Sequence, residues 1–378
     1  MKIVDVITEV FRYKSHTVRD SEGHGHPGPE HEAQQSLVRI VTDEGVAGYC
    51  FGGNKATIDS VIKPLLIGKD PFYREHLWQM LRERQRLHLS TLSDRLISVI
   101  DMALWDLTGR YLGQPVYKLL GATRDKVPAY ASTMCGDDLE NGLATPEDYA
   151  RFAKTCMERG YPSFKLHTWQ PPYPGAPNPK RDIEACAAVR EAVGPDVPLM
   201  LDPFHYYNRE QSYYLAKELE KLDYYWMEEP MPEHSMSSYI WLTEQTSLTI
   251  CGPETAEGKM FTRAEWIKHG AADISRGGVG DVGGITPLMK IVHLCESFGV
   301  RMEVHGGGPG NLHVLCAMPI PGEFYERGLL HPFIDYEKPP AYLNRIPDPM
   351  DDEGFVHVSQ EPGLGWDINF DYIKDHLV

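Results

Sequence analysis

Three acidic side chains recur at equal intervals in the second half of the sequence. Asp202 in "MLDP", Glu228 in "WMEEP" and Glu254 in "CGPE" lie 26 residues apart, and each follows a short apolar run. In a parallel barrel the carboxyl ends of the strands gather at one face, so acids repeated once per strand and helix would converge. Converging carboxylates repel one another unless a cation lies among them, and an all-oxygen set suits Mg²⁺. The spacing therefore predicts a magnesium site.

Each of these acids could instead cap the following helix or pair with a basic neighbour. Because capping does not require equal intervals, the equal intervals observed favour the metal site. Glu229 follows Glu228 directly, and neighbouring residues on a strand face opposite ways. We therefore expect Glu228 to point towards the site and Glu229 to pair with a nearby basic group.

Basic residues with suitable spacing accompany the acids. In "SFKLHTW", Lys165 and His167 are two residues apart and would share one face of a strand. His305 ends "RMEVH", before the glycine-rich "GGGPGN", and the alternative for this residue is an ordinary core histidine. At strand ends of one barrel, Lys165 and His305 would lie on two sides of the metal. A metal-bound substrate carboxylate, a base that removes the α-proton and a stabilised enediolate then form one reaction scheme.

The elements that must position these residues begin with an N-terminal α+β region. "MKIVDVITEV" and "SLVRIVTDEGVAGYC" alternate as strands do, with a turn at Asp43 to Gly45. The polar, histidine-rich stretch "SHTVRDSEGHGHPGPEHEAQQ" between them is typical of a long mobile loop. From about Ile58 to Leu120 the pattern is helical. One helix face is marked by five apolar residues: Leu96, Ile100, Ala103, Leu104 and Leu107.

After "VPAYAS" short apolar runs alternate with helical stretches. At least six strands are expected, in "SFKLHT", "VPLMLDP", "YYWMEEP", "LTICGPE", "ADISRG" and "VRMEVHG". This alternation predicts an α/β barrel of the TIM-like, modified β/α type. An open doubly wound sheet is the alternative, but the glycines of "RGGVGDVGGI" fall late and lack the GxGxxG spacing. We expect a capping domain at 1–125, joined by a C-terminal segment at about 340–378, and a barrel at 126–339.

Composition excludes several classes of partner. The formal net charge of -17 over 378 residues disfavours nucleic acid, which needs a basic face. No apolar run reaches the roughly 18 residues of a membrane span, and the N-terminus lacks the pattern of a signal peptide. Seven scattered cysteines without a CxxC pair argue against a disulfide framework or a cysteine zinc site. We expect a cytoplasmic enzyme acting on a small molecule.

These motifs together resemble the enolase superfamily, and within it the mandelate racemase-like subgroup. The lysine motif, the acids on successive strands and the strand-end histidine carry the resemblance, as do "SVIDMALWDLTGRYLGQPVYKLLGA", "DVGGITPLMKI" and "PGLGWDI". The resemblance implies that Asp202, Glu228 and Glu254 bind Mg²⁺. It also implies that Lys165 and His167 serve one face of the substrate and His305 the other.

The same resemblance implies a substrate-binding set and an assembly. Glu326 in "FYERG" matches an acid that hydrogen-bonds the substrate carboxylate. In this family the N-terminal loop closes over the barrel mouth, so that His24, His26 and His31 are candidates for contacts with sugar hydroxyls, against the alternative of solvated loop histidines. Barrels of this family often form homo-oligomers.

Two positions depart from the family pattern. The second basic residue of the lysine motif is commonly Lys, whereas here it is His167. Gly278 stands where an aspartate usually orients the strand-end histidine, and the nearby Asp273 and Asp281 are out of register. Without a carboxylate partner a histidine is a weaker base. We therefore expect Lys165, alone or with His167, to remove the α-proton and His305 to act as the acid.

This division of roles favours a dehydratase over a racemase, because a racemase needs a base on both faces. Within the subgroup, the resemblance implies a Mg²⁺-dependent dehydratase that converts an aldonate or aldarate into a 2-keto-3-deoxy acid. An epimerase or cycloisomerase of a related sugar acid or lactone is the first alternative. A catalytically idle relative with a regulatory role is the second.

Overall fold

The N-terminal part of the chain is built on a three-stranded antiparallel sheet. The computed structural model describes residues 1–88, 91–320 and 322–378. The strands β1 (Ile3–Arg19), β2 (Gly25–Thr42) and β3 (Ala47–Phe51) pair in the order β1-β2-β3. The helical segments that follow are α1 (Lys55–Thr57), a π-helical turn (Ile58–Ile62), α2 (Lys63–Leu66), α3 (Arg74–Gln85), α4 (Asp94–Leu112) and α5 (Val116–Leu120).

The prediction of a long loop between the first two strands is wrong. β1 and β2 continue as one hairpin, in which Arg12 pairs with Gln34 and Thr17 with Pro27, so that only residues 20–24 form the turn. Apart from Gly25, the residues of this outer part of the hairpin are exposed or half-buried. Because neither face is buried in a core, the side chains show no apolar alternation, and these two strands could not be predicted from periodicity.

Helix α4 connects the two halves of the molecule. Its predicted apolar face is confirmed, because Leu96, Ile100 and Leu107 and their neighbours on that face are buried. The Ser93 hydroxyl accepts a hydrogen bond from the amide of Leu96, and the helix ends at Gly113 with a φ of 63°. On its other side α4 reaches the barrel. The Asp101 carboxylate accepts hydrogen bonds from the Thr286 amide at 2.9 Å and hydroxyl at 2.6 Å.

The second half forms the predicted barrel of parallel strands, with helices following the strands. The strands are β4 (Lys126–Thr133), β5 (Ser163–His167), β6 (Leu199–Asp202), β7 (Trp226–Glu228), β8 (Ile250–Cys251), β9 (Ile274–Arg276), β10 (Arg301–Glu303) and β11 (Tyr325–Leu330). The helices are α6 (Pro146–Glu158), α7 (Pro179–Val193), α8 (Arg209–Lys221), α9 (Met236–Gln245), α10 (Lys259–Lys268), α11 (Val279–Val282), α12 (Ile285–Phe298) and α13 (Pro309–Leu315). The six strands expected from the apolar runs are β5 to β10.

The strands follow the order β10-β9-β8-β7-β6-β5-β4-β11. The two ends of this series meet, because the Glu323 amide donates to the Glu303 carboxylate at 3.3 Å and the Gly306 amide donates to Glu326 at 2.7 Å. The barrel interior below the mouth is filled by six residues: Tyr130, Met200, Trp226, Cys251, Ile274 and Phe324. This packed interior fixes the strand ends at one mouth.

The C-terminal segment contacts both halves. Strand β12 (Phe355–His357) pairs antiparallel with β4 of the barrel. Helix α14 (Phe370–Asp375) belongs to the other side, where Ile373 packs with Phe11 and Leu37 of the N-terminal hairpin. The domain boundaries near 125 and 339 stay a prediction. Within the described residues, the helices lack the combination of length and apolar character that crossing a membrane requires.

Candidate active site and metal centre

The three in-phase acids meet at the mouth of the barrel. Asp202 and Glu228 end strands β6 and β7, and Glu254 lies three residues beyond β8. Each offers one carboxylate oxygen, and these oxygens all lie within 4.8 Å of one another, with every residue buried. Equal spacing along the chain is thus converted into proximity by the parallel topology.

Lys165 lies directly beneath the acids. Its ammonium nitrogen is 2.8 Å from Glu228 Oε2, 2.8 Å from Glu326 Oε1 and 3.3 Å from Asp202 Oδ2. Burial disfavours the charged amine, but the carboxylates of Glu228 and Glu326 outweigh it and raise the pKa of Lys165 well above its ordinary value. Lys165 is therefore held as a cation, and it is only 1% exposed.

A second buried cation was not recognised from the sequence. Arg276 ends strand β9, contacts Glu228, lies 3.3 Å from Glu254 Oε2 and donates to Glu326 Oε2 at 2.9 Å. The signal available was a basic residue at the end of the strand that follows the three acidic ones. The strand in "ADISRG" was predicted, but the arginine at its end was not assigned to the site.

The negative charge of the acid cluster is not fully balanced by the buried cations of the protein. Burial raises the pKa of Glu228 well above its ordinary value, even though Arg276 and Lys165 oppose the shift, and Asp202 and Glu254 add to it. At Glu229, one buried carboxylate oxygen has no hydrogen-bond partner among the described residues. A hard divalent cation such as Mg²⁺ matches this donor set of carboxylate oxygens. The residues present therefore fit the metal that the spacing predicts.

Glu326 is fully engaged by protein donors. One oxygen accepts from the Ser132 hydroxyl at 2.8 Å in addition to Lys165, and the other accepts from the Gly306 amide in addition to Arg276. Burial disfavours its ionisation, but Lys165 and Arg276 hold its pKa well below the ordinary value. Glu326 therefore positions the two cations and also borders the cavity.

His167 contacts one end of the acid cluster. Its Nδ1 donates to the Thr133 carbonyl at 2.6 Å, and its Nε2 is 2.9 Å from Asp202 Oδ2. A carbonyl only accepts, so the hydrogen on Nδ1 fixes the ring orientation. Unlike Lys165, His167 lines the cavity above the acids.

His305 contacts the other end of the acid cluster and has a carboxylate partner, Asp281, although none was predicted. His305 Nδ1 lies 2.7 Å from Asp281 Oδ2, and its Nε2 lies 3.2 Å from Glu254 Oε1. Burial lowers the proton affinity of the ring, but Glu254 and Asp281 outweigh it and raise the pKa of His305 to about 10. The prediction of a weak, unpartnered base is wrong.

The glycine at 278 explains how a carboxylate out of register reaches the histidine. A Cβ atom at Gly278 would lie 2.3 Å from the His305 carbonyl oxygen, so no side chain fits there. The short helix α11 begins immediately afterwards and carries Asp281 back towards the ring. Asp281 also accepts a hydrogen bond from the Gly278 amide at 2.8 Å. Of the two nearby acids, Asp273 instead accepts from the Ile250 amide, as expected for a framework residue.

Glu229 also borders the cavity, so the prediction that it points away from the site is wrong. The chain leaves strand geometry there, with a φ of 25° at Glu229, and this turns both adjacent carboxylates towards the mouth. Its nearest basic group is His205, whose Nδ1 is 3.8 Å from Glu229 Oε1. Burial, together with Glu254 and Glu233, raises the pKa of Glu229 well above its ordinary value.

The hairpin tip covers a cavity of about 390 Å³ above the acids. Of the predicted loop histidines, His24 lines this cavity and packs edge-on against the Phe204 ring, with centroids 4.8 Å apart. His26 instead turns to Asp20, at 3.0 Å, and His31 lies near the Pro29 carbonyl. The hairpin therefore brings one of the three histidines to the site.

These features define an α/β-barrel enzyme with a capping unit and an acid cluster at the barrel mouth. The chain matches the family described as Enolase C-terminal domain-like over residues 148–372. It also matches the Mandelate racemase / muconate lactonizing enzyme, N-terminal domain, over residues 23–121. The chain belongs to the enolase superfamily, in its mandelate racemase-like subgroup.

Similar proteins point to acid-sugar chemistry. A solved structure described as D-glucarate dehydratase from Agrobacterium tumefaciens complexed with magnesium is 53% identical, with a TM-score of 0.98 over 100% of this chain and 99% of that one. Arabinonate dehydratase of Saccharolobus solfataricus is 31% identical over 308 residues, 77% of this chain and 79% of that protein. D-galactarolactone cycloisomerase of Agrobacterium fabrum is 27% identical over 393 residues, 99% of this chain and 98% of that protein.

Proposed function

We propose that the protein is a Mg²⁺-dependent dehydratase that converts an aldonate or aldarate into a 2-keto-3-deoxy acid. The observation that carries the proposal is the buried triad Asp202, Glu228 and Glu254, with cavity-lining His167 at one end and His305 at the other. Similarity to proteins named as dehydratases of sugar acids supports it.

In this proposal Asp202, Glu228 and Glu254 hold Mg²⁺. When bound, the ion would neutralise the acids and stabilise negative charge on the substrate carboxylate and its enediolate form. Lys165 and Arg276 offset part of the surrounding negative charge and hold the carboxylates in place, because each contacts three of them.

We assign proton transfer to the two histidines. His305, oriented by Asp281, takes the α-proton of the substrate. His167 gives a proton to the β-hydroxyl, the C–O bond breaks and water leaves. The resulting enol takes a proton at the β-carbon, loses the proton of its own hydroxyl and becomes the 2-keto-3-deoxy acid. This assignment exchanges the roles expected from the sequence. It rests on the Asp281 contact and on the burial of Lys165 behind three carboxylates.

Turnover of a sugar-acid panel tests the activity. The purified protein is incubated in deuterated water with Mg²⁺ and stereochemically complete sets of aldonates and aldarates. We expect a 2-keto acid from at least one member and none after chelation of Mg²⁺. Absence of a keto acid, and of deuterium in any substrate, would support the idle relative instead.

Three substitutions test the assignment of roles. We expect His305→Asn to abolish both α-deuterium exchange and dehydration, because the base is lost. His167→Asn should abolish dehydration and leave measurable exchange. Asp281→Asn should lower the rates of both by about 10² to 10³, with little change in KM. His357→Asn, on β12 and paired with Asp351, is the control. Loss of exchange in His167→Asn with retention in His305→Asn would reverse the assignment.

A cycloisomerase or epimerase is the second candidate, supported by the similarity to D-galactarolactone cycloisomerase over nearly the full chain. Both histidines remain competent for proton exchange when no hydroxyl leaves. Deuterium in an isomerised product, with no keto acid, would favour this candidate.

The remaining proposals concern substrate contacts, assembly and location. We place His24 and Glu326 at the substrate, and His26 behind His24 through their shared partner Asp20. A homo-oligomer and a cytoplasmic location belong to the same proposal. Seven unpaired, buried cysteines suit a reducing compartment.

A further inference from the structure

We propose that Arg19 and Arg95 bind a second carboxylate of the substrate, so that the preferred substrate is an aldarate and not an aldonate. The inference rests on the proposed dehydratase function and specifies its substrate class. Arg19 ends strand β1 at the hairpin tip, and Arg95 lies in the first turn of α4. Both line the cavity that also contains His167, Asp202 and His305.

Lys165 and Arg276, the two buried cations of the acid cluster, are already paired with carboxylates of the protein. Lys165 and Arg276 each contact three carboxylates, and Glu326 accepts from both. An anionic group at the far end of a substrate therefore cannot rely on them.

The two arginines of the cavity lining, Arg19 and Arg95, are not paired in this way. Within residues 1–88, 91–320 and 322–378, neither guanidinium forms an ion pair with a carboxylate. Arg19 donates one hydrogen bond, to the Gly23 carbonyl at 2.5 Å, which leaves most of its donors for a ligand. Arg95 is close enough to Asp281 to contribute to lowering the pKa of that carboxyl, after the larger effects of burial, of His305 and of the Gly278 amide. It therefore lies on the His305 side of the cavity.

The overall charge makes such a subsite necessary for a diacid. A formal net charge of -17 repels an anion, and it repels a dianion more strongly. The hairpin tip also places Glu22 in the cavity lining. Two guanidinium groups in the cavity lining reverse this repulsion locally, and their planar donor pairs match a carboxylate. The terminal hydroxymethyl group of an aldonate is uncharged, so the two guanidinium groups add no ionic attraction to its binding.

The test compares two substrates that differ only at the end remote from the reaction, glucarate and gluconate, or the pair of the stereochemistry that the panel selects. The wild type should favour the diacid. Arg19→Gln and Arg95→Gln should each raise KM for the diacid about 10- to 100-fold, the scale of a lost hydrogen bond to a charged group, with a much smaller change in kcat. The loss on the monoacid should be at least tenfold smaller. Arg95→Lys, which keeps the charge, should recover part of the loss.

Arg12→Gln is the matched control, because Arg12 lies on the same strand and pairs with Glu32 at 3.3 Å, outside the cavity lining. Equal losses on both substrates, unchanged kinetics in the arginine variants, or a wild-type preference for the monoacid would overturn the subsite. Calorimetric binding of the diacid with Mg²⁺ separates the subsite from the reaction. Arginine-dependent binding without turnover would support the subsite and refute the dehydratase, whereas absence of diacid binding by the wild type would overturn the subsite.

Discussion

At the scale of single residues, the site depends on where Asp281 lies relative to His305. The carboxylate belongs to the short helix α11 and not to the strand end, and it still reaches the imidazole at 2.7 Å. The approach is possible because Gly278 allows the chain to pass against the His305 carbonyl. Gly278, which stands where a carboxylate partner was expected, therefore allows Asp281 to reach His305.

Replacement of this glycine should damage activity through geometry alone. A Cβ atom in Gly278→Ala would lie 2.3 Å from the His305 carbonyl oxygen and would displace the ring from Asp281 and from the substrate. We expect kcat/KM to fall by about 10², the effect of a displacement of roughly 1 Å at a reacting group. Steady-state kinetics and thermal melting of the purified variant provide the measurement.

The control is Gly280→Ala, two residues further along. An added Cβ at Gly280 meets nothing within 4 Å, so activity and melting temperature should stay close to those of the wild type. Equal activity in the two variants would show that the close approach at Gly278 does not position His305.

At the scale of elements, the hairpin tip is held by one carboxylate. One oxygen of Asp20 accepts from the backbone amides of Glu22, Gly23 and His24, and the other lies 3.1 Å from His24 Nδ1 and 3.0 Å from His26 Nε2. Burial opposes its ionisation, but hydrogen bonds from His26 and His24 lower its pKa to about 2. The stabilisation is therefore present above the unfolded pKa of about 3.9 and is lost only as pH falls through about 2.

Removal of this carboxylate should loosen the tip over the cavity. We expect Asp20→Ala to raise KM about tenfold, with a smaller effect on kcat, and to change the melting temperature little because the tip protrudes from the core. The Asp20 carboxylate stays ionised between about pH 6 and pH 8, far above its pKa, so the kinetics are compared in that range.

Faster amide exchange in residues 20–26 would report the loosened tip directly. Asp43→Ala, at the opposite turn, where Asp43 accepts from the Lys2 amide at 2.7 Å, should leave KM unchanged. A KM shift in that control equal to the shift in Asp20→Ala would contradict a local role.

The backbone around Glu254 is fixed by hydrogen bonds to two side chains, those of Glu233 and Arg263. The Glu233 carboxylate accepts the amide of Glu254 and, with its other oxygen, the Thr255 amide at 2.7 Å and hydroxyl at 3.0 Å. The buried guanidinium of Arg263 donates to backbone carbonyls of the same segment, including those of Pro253 and Glu254. Glu254 thus presents its carboxylate from a fixed backbone, although it lies beyond the end of β8.

Loss of the Glu233 carboxylate, which accepts from the amides of this segment, should weaken metal binding. We expect Glu233→Gln to raise the dissociation constant for Mg²⁺ about tenfold, as found for groups that orient metal ligands. Titration calorimetry of the metal-free protein measures this without any substrate. Glu244→Gln, on the exposed side of α9, is the control, and equal affinity in both variants would remove Glu233 from the positioning role.

At the scale of the whole molecule, the acid cluster is a concentration of negative charge in a buried position. Burial raises the pKa of both Glu228 and Glu229 well above the ordinary value. A divalent cation that binds only the folded state stabilises it by an amount that grows with the logarithm of the cation concentration, about 2.7 kcal/mol at a hundred times the dissociation constant. We therefore expect Mg²⁺ to raise the melting temperature and EDTA to lower it.

Asp202→Asn should reduce this shift strongly, because it removes one of the three acids. Potassium chloride at the same ionic strength separates specific binding from general screening. A shift of equal size in the variant, or with the monovalent salt, would argue against a metal at this site.

The sequence by itself determined the barrel, the convergence of three acids and the family. These follow from local patterns, since apolar runs alternating with helical stretches predict parallel strands, and parallel strands place every carboxyl end at one mouth. Lys165, His167, Asp202, Glu228, Glu254 and His305 are brought together as expected.

Only the tertiary structure decided which side chains contact one another in the site. Asp281 pairs with His305, Arg276 joins the acids, Glu229 turns inward and Arg19 reaches the cavity, and none of these contacts is periodic in the sequence. They depend on a close backbone approach at Gly278, a φ of 25° at Glu229 and a polar hairpin without a buried face. Sequence periodicity reports the burial of side chains against a core. It does not report contacts between polar groups that meet where the regular elements end.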